Sequence, residues 1–198
     1  PLIRSASMKV GLFFGSFNPI HHGHLILAQT ALNETQLDAV WFVVSPQNPF
    51  KQKKNLLPAY DRLKMVELAL DDHPSMLGSN VEFSLPKPSY TIDTLTHLRE
   101  RYQSYEFALI MGQDNLQHLH KWKNFEAILK YYPIYVYPRP GASPSQFDDH
   151  TNVTIFEAPL LDISATYMRQ TIRAEKSIRF LTPHPVVDYI QKNRLFIL

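Results

Sequence analysis

Two apolar runs set the terms for this fold. Lys9–Phe14 (KVGLFF) and Ala39–Val44 (AVWFVV) are short and rich in β-branched and aromatic residues. Such runs read as buried strands. Between them, His24–Leu32 (HLILAQTAL) sets Leu25, Ala28 and Leu32 at i, i+3 and i+7. That spacing marks one face of a helix. A strand, a helix and a second strand of this length form a βαβ unit, which demands a parallel sheet.

The alternation continues. Ala59–Leu70 reads as a helix and Val81–Leu85 as a strand. Thr91–Tyr102 reads as a helix with Ile92, Leu95, Leu98 and Tyr102 on one side. Phe107–Met111 (FALIM) is a strand running into GQDN, and Ile134–Tyr137 and Val153–Phe156 are further strands. Ser164–Ala174 and Pro183–Lys192 read as closing helices, the second with Thr182 as N-cap and Pro183 in its first turn. Ser45–Pro58 and Pro138–Asn152 are long loops. The expected architecture is α/β, a doubly wound parallel sheet of five or six strands flanked by helices, with a short C-terminal helical part. Such sheets bind ligands beyond the carboxyl ends of their strands.

Composition narrows the classes. The chain has 198 residues, no cysteine and a formal net charge of +2. Disulfides and thiolate metal sites are excluded. The small charge argues against nucleic acid as a partner. No apolar run approaches the roughly 20 residues of a membrane span, so no membrane partner is expected and a cytoplasmic location is. One domain, residues 8–198, is expected, with residues 1–7 read as a non-native remnant or a disordered N-terminus. A homo-oligomer stays open.

The segment FFGSFNPIHHGHL, Phe13–Leu25, carries the chemistry. Gly15 follows the first strand and would let a ligand approach the backbone. Pro19 ends the extended run, so the helix begins near His21 or His22. His21 and His24 then share a face of its first turn. A helix N-terminus offers unpaired N–H groups and a positive dipole end, which suit phosphate. A zinc site from His21, His22 and His24 is the competing reading. It lacks a neighbouring carboxylate, and adjacent helical residues diverge.

GSFNPIHHGH resembles the first signature of the nucleotidyltransferase superfamily, GTFDPxHxGH. Ile163–Arg169 (ISATYMR) resembles its second, ISSTxIR. Within the superfamily, PSYTIDTL (Pro88–Leu95), MGQDNLQHLHKW (Met111–Trp122), RPG (Arg139–Gly141) and VVDYIQKNRLF (Val186–Phe196) are similar to bacterial nicotinate mononucleotide adenylyltransferases. The resemblance implies a Rossmann-like fold. It also implies a reaction in which nicotinate mononucleotide and ATP give deamido-NAD and pyrophosphate. Mg²⁺ would accompany ATP, held by phosphates and water with no protein side chain as ligand.

The resemblance assigns roles residue by residue. His21, His24 and Arg169 would be catalytic and would contact ATP phosphates. Gly15, Ser16 and Phe17 would lie along the nucleotide. Ser164 and Thr166 would join Arg169 at the β- and γ-phosphates, and Ile163 would line the adenine pocket. Gly112 would admit the ribose and Asp114 would accept from its hydroxyls. On the mononucleotide side, Trp122 would stack on the pyridine ring, beside Tyr90. Backbone groups near Thr91 and Lys123 would meet the carboxylate. Lys51 and Arg139 would sit near the phosphate.

Each assignment has a plainer competitor. Asp114 could cap a helix, Trp122 could simply pack, and Lys51, Lys53 and Lys54 could be a solvated loop face. Departures from the signatures are Phe14 for glycine, Ser16 for threonine, Asn18 for aspartate and Ala165 for serine. Alternative functions are a nicotinamide mononucleotide enzyme, a pantetheine-phosphate adenylyltransferase, or a catalytically silent nucleotide-binding module.

Overall fold

The structure, a computed structural model, describes residues 7–46 and 56–197. Its elements are β1 (Met8–Gly15), α1 (His22–Glu34), β2 (Ala39–Val44), α2 (Ala59–Leu70), β3 (Met76–Ser79), α3 (Thr91–Arg101) and β4 (Tyr105–Gly112). They continue through α4 (Gln113–Gln117), α5 (Phe125–Tyr131), β5 (Ile134–Tyr137), β6 (Val153–Ile155), α6 (Ala165–Arg173) and α7 (His184–Lys192). All six strands are parallel, in the order β3-β2-β1-β4-β5-β6. Strand order reverses between β1 and β4, so their carboxyl ends open a crevice suited to a ligand.

The strands are apolar on both faces because both faces are covered. In β2, Val40, Phe42 and Val44 enter one core with Ala28 and Ala31 of α1, Met65 of α2 and Met168 of α6. Ala39, Trp41 and Val43 enter the other with Leu95 and Leu98 of α3 and Ile128 of α5. This period of two explains why AVWFVV reads as an unbroken apolar run. Gly11 lies mid-strand because an added Cβ would meet Leu37 Cδ1 at 2.6 Å and Ile110 Cδ1 at 2.7 Å. Among the described residues no helix is long and apolar enough to cross a membrane.

Two sequence expectations are overturned. Val81–Leu85 is not a strand: Val81–Ser84 forms a 3₁₀ turn, and the edge strand is Met76–Ser79 instead. The reason is Glu82, which is 3% exposed and accepts a 2.9 Å hydrogen bond from Thr94 Oγ1 of α3. A buried carboxyl needs that partner, and a turn delivers it. Burial raises Glu82 above its ordinary value, against hydrogen bonds from Thr94, Ser89 and Ser45. Nor does Thr182 cap α7. Pro183 holds the cap position, and Thr182 Oγ1 donates to Ile20 O at 2.9 Å. That bond ties the last part of the chain to the segment before α1.

Candidate active site

The turn from β1 to α1 is packed around two imidazoles. His21 is the residue before α1, in extended backbone, and is 6% exposed. Its ring stacks on that of His24 with centroids 3.7 Å apart and planes 23° apart. Gly23 makes this possible, because a Cβ there would lie 2.9 Å from His21 Nδ1 and 3.0 Å from its Cε1. The backbone N–H of His21 donates to His24 Nδ1 at 3.2 Å. Accepting at Nδ1 leaves the neutral ring's proton on Nε2, so His24 carries a donor there.

Burial, then the charges of Arg139 and His22, lower His21 to about 4. It is therefore a neutral imidazole at physiological pH. Its side chain faces the His24 backbone N–H in a capping-box arrangement, and its buried Nδ1 makes no hydrogen bond of good geometry among the described residues. His22, predicted to face elsewhere, is half-buried, and its backbone N–H donates to Leu181 O.

Phe17 takes a left-handed backbone, φ 45, and its ring is 2% exposed. The ring meets His24 edge-on at 5.1 Å and Phe13 at 5.9 Å. Gly15 leaves room for it, since a Cβ would fall 2.7 Å from Phe17 Cζ. The clearance expected for a ligand is thus filled by the chain's own phenyl ring. Ser16 is half-buried, and its carbonyl accepts from Arg62 Nη1 at 2.6 Å.

The late signature reaches this turn through space. Ile163 Cβ lies 3.7 Å from where a Gly23 Cβ would stand. Ser164 caps α6, its side chain accepting from Tyr167 N–H at 3.1 Å. Arg169 Nη1 donates to Asn18 O at 2.8 Å and Nη2 to Thr166 Oγ1 at 3.1 Å. Thr166 is exposed, and Arg169 is partly so. The segment Ile163–Arg169 therefore meets the histidine turn at two points, Ile163 at Gly23 and Arg169 at Asn18.

Across the β1/β4 crevice, α4 starts directly after Gly112. Asp114 lies in its first turn rather than at its cap. Its carboxylate pairs with Arg139 Nε at 3.6 Å, with side chains 55% and 44% exposed. A Cβ on Gly112 would lie 2.5 Å from Asp114 Oδ1 and 3.1 Å from Arg139 Nε. Arg139 also sits over the Tyr137 ring at 5.5 Å. The sequence reading put Asp114 and Arg139 on different substrates; the structure brings them together.

Trp122 is half-buried and lines a small cavity of about 40 Å³ with Phe13, Phe14, Met111, Asn115 and Tyr137. Beside it, Lys123 Nζ reaches both Asp93 oxygens at 2.9 and 3.1 Å and lies 4.9 Å over the Tyr90 ring. Tyr90 precedes α3 and Thr91 begins it. Lys51 lies outside the described residues. Sequence reasoning missed Tyr137 and Arg62. Tyr137 ends a strand, a position that could have marked it; Arg62 is a helix cation with no local signal.

A parallel sheet whose switch point carries imidazoles, an arginine and paired charges defines a nucleotide-binding α/β protein. The cytidylyltransferase-like family model matches residues 12–171. A protein of Cytophaga hutchinsonii named "Probable nicotinate-nucleotide adenylyltransferase" is 52% identical, over 96% of this chain and 98% of its own. One of Flavobacterium psychrophilum with the same name is 49% identical, over 96% and 99%. A solved structure, the Plasmodium falciparum nicotinic acid mononucleotide adenylyltransferase complexed with APC, superposes with TM-score 0.78 at 19% identity, over 96% and 97% of the two chains. At that identity the likeness speaks for the fold. The chain belongs to the nicotinate-nucleotide adenylyltransferases of the cytidylyltransferase-like family.

Proposed function

We propose that this protein transfers the adenylyl group of ATP to nicotinate mononucleotide, giving deamido-NAD and pyrophosphate for NAD synthesis. The carrying observation is the meeting of two distant segments: Arg169 donates to the turn that bears His21 and His24. Imidazole donors, a guanidinium and helix N-termini then meet at one turn, a donor set that suits a triphosphate.

An oxygen of the mononucleotide phosphate attacks the α-phosphorus of ATP in line. A new P–O bond forms as the bond from the α-phosphorus to the β-bridging oxygen breaks, and pyrophosphate leaves. The attacking oxygen is already ionised, so no general base is needed and no covalent enzyme intermediate forms. The obstacle is repulsion between anions. The chain's task is to orient them and to meet the developing charge with donors.

His24 donates from Nε2 to a phosphoryl oxygen. His21, neutral before substrate arrives, takes its place beside the same phosphates, where a polyanion draws its affinity for protons upward. Thr166 and Arg169 hold the outer phosphates, with Ser164 at the head of α6. Gly15, Ser16, Phe17 and Ile163 shape the nucleotide's berth, and Gly112 and Asp114 its ribose. Trp122 and Tyr90 flank the pyridine ring. Backbone N–H groups near Thr91 and Lys123 meet the nicotinate carboxylate, while the Lys123 ammonium is held by Asp93. Arg139 exchanges Asp114 for substrate phosphate, with Lys51 assigned to the same group.

Among the described residues no three His, Cys, Asp or Glu side chains converge as a metal cage. The residues present fit an ion carried by phosphate oxygens and water. When bound, Mg²⁺ neutralises part of the triphosphate charge.

The test is pyrophosphate release with ATP and each mononucleotide in turn. The nicotinate substrate is expected to show the higher kcat/KM. Equal or better use of the nicotinamide form defeats the substrate assignment, and release with neither defeats the reaction.

A further inference from the structure

Arg62 lies in the first turn of α2 and is 0% exposed. Its guanidinium donates to four backbone carbonyls: Nε to Leu57 at 2.9 Å, Nη1 to Ser16 at 2.6 Å and Ser45 at 2.8 Å, and Nη2 to Pro46 at 3.2 Å. These carbonyls come from three stretches: the turn after β1, the end of β2 and the approach to α2. No carboxylate pairs with it among the described residues. Burial lowers it only to about 10, so it stays charged at neutral pH.

A buried cation without a counter-ion is a poor choice for packing alone. An apolar side chain could fill the space but would strand four carbonyls. A lysine has donors on a single atom and cannot span three stretches as a planar fork does. What the fork holds is the turn under the imidazoles. Arg62 grips Ser16 O on one side of Phe17, and Arg169 grips Asn18 O on the other. Asn18 Oδ1 also accepts from Leu57 N–H at 3.2 Å. Between these grips Phe17 stands at φ 45, a region disfavoured for a bulky residue. Its ring abuts His24.

We propose that Arg62 is a positioning residue for adenylyl transfer. By fastening Ser16 to the ends of β2 and the start of α2, it keeps Phe17 in its left-handed seat and thereby sets the His24 ring against the ATP phosphates. It touches neither substrate. The inference rests on the assignment of His24 to ATP.

Arg62→Lys and Arg62→Gln test it, with wild type and His24→Ala as references. KM for ATP and for nicotinate mononucleotide, kcat and the folded fraction by circular dichroism are measured. The expected result for Arg62→Lys is a KM for ATP raised about tenfold and a kcat lowered about 10- to 100-fold, with the mononucleotide KM within about threefold of wild type. KM does not depend on how many molecules are folded, so even a poorly folding variant reports it. A role in stability alone lowers kcat in step with the folded fraction and leaves both KM values unchanged; that outcome overturns the proposal. Kinetics equal to wild type overturn it too, and so does absence of soluble protein from both variants. If His24→Ala turns over normally, the His24 assignment has failed instead, whatever Arg62→Lys does.

Discussion

The turn after β1 and the turn after β4 both open on a glycine whose missing Cβ makes room for the side chain two residues on, and they fill that room in opposite ways. Beside Gly15 the occupant is the Phe17 ring, 2% exposed and wedged among aromatic neighbours. Beside Gly112 it is the Asp114 carboxylate, more than half exposed and paired loosely with Arg139. The first turn is a dry seat in which nothing can shift alone, since close-packed interiors transmit small displacements. The second is a wet contact that a phosphate or a ribose can displace at little cost, since exposed pairs are weak. On the proposed function, one side of the crevice is ready before substrate arrives, and the other is finished by substrate.

The largest expected break in that contrast is His24→Ala. Removing one preorganised donor should cut kcat by about 10²- to 10³-fold, with circular dichroism unchanged. Turnover within a few-fold of wild type would show that the dry turn serves packing only. Gly23→Ala comes next. Its new methyl would press on His21 at 2.9 Å, and a shifted imidazole pair should cost about 10- to 100-fold in kcat/KM. An alanine variant with normal kinetics would mean that the stacked rings need not keep their spacing.

The third test uses acid. His21 has its ordinary value in the unfolded chain and is held near 4 in the folded one. Between those values the unfolded state binds more protons, so stability falls as pH drops from 6.5 toward 4. The loss from this group should reach about 2 kcal/mol near pH 5. His21→Asn should flatten that part of the acid-unfolding curve, measured by urea titration at each pH. An unaltered slope would sink the claim that the ring is buried neutral. Glu82 acts in reverse: its raised value makes stability decline as pH climbs above the ordinary carboxyl range.

The smallest effect belongs to the wet side. Asp114→Asn should change stability by under about 1 kcal/mol and raise the ATP KM by roughly threefold, as for one modest hydrogen bond. A change as large as that of Gly23→Ala would erase the difference between the two turns.

The sequence made the scaffold readable where periodicity was strong. Ala59–Leu70 and Ile134–Tyr137 have the predicted bounds, and β1–α1–β2 differs only at its ends. Short MLGS was missed because four residues with a glycine and a serine carry little alternation. That the segment of Arg169 meets the turn of His21 and His24 was legible through two signatures, since a signature compresses a spatial arrangement into local spelling; Trp122 was marked by a separate stretch, Met111–Trp122. What stayed hidden were contacts between side chains and distant backbone. Arg62 on three carbonyl stretches, Thr182 on Ile20 and Arg139 on Asp114 have no local pattern, because their partners lie elsewhere in the chain.

The bonds from Arg169 to Asn18 and from Thr182 to Ile20 span 151 and 162 residues. A ribosome releases the histidine turn first and these two fastenings more than 150 residues later. At about 5–20 residues per second, the turn waits roughly 8 to 30 s in a growing chain before either can close on it. Until then the nascent polypeptide can bury β1 and β2 together, but it lacks the parts that finish the proposed phosphate site. On the proposed function, catalytic competence thus waits until residues 169 and 182 have been made, and a chain that stalls before residue 169 would be an inert one.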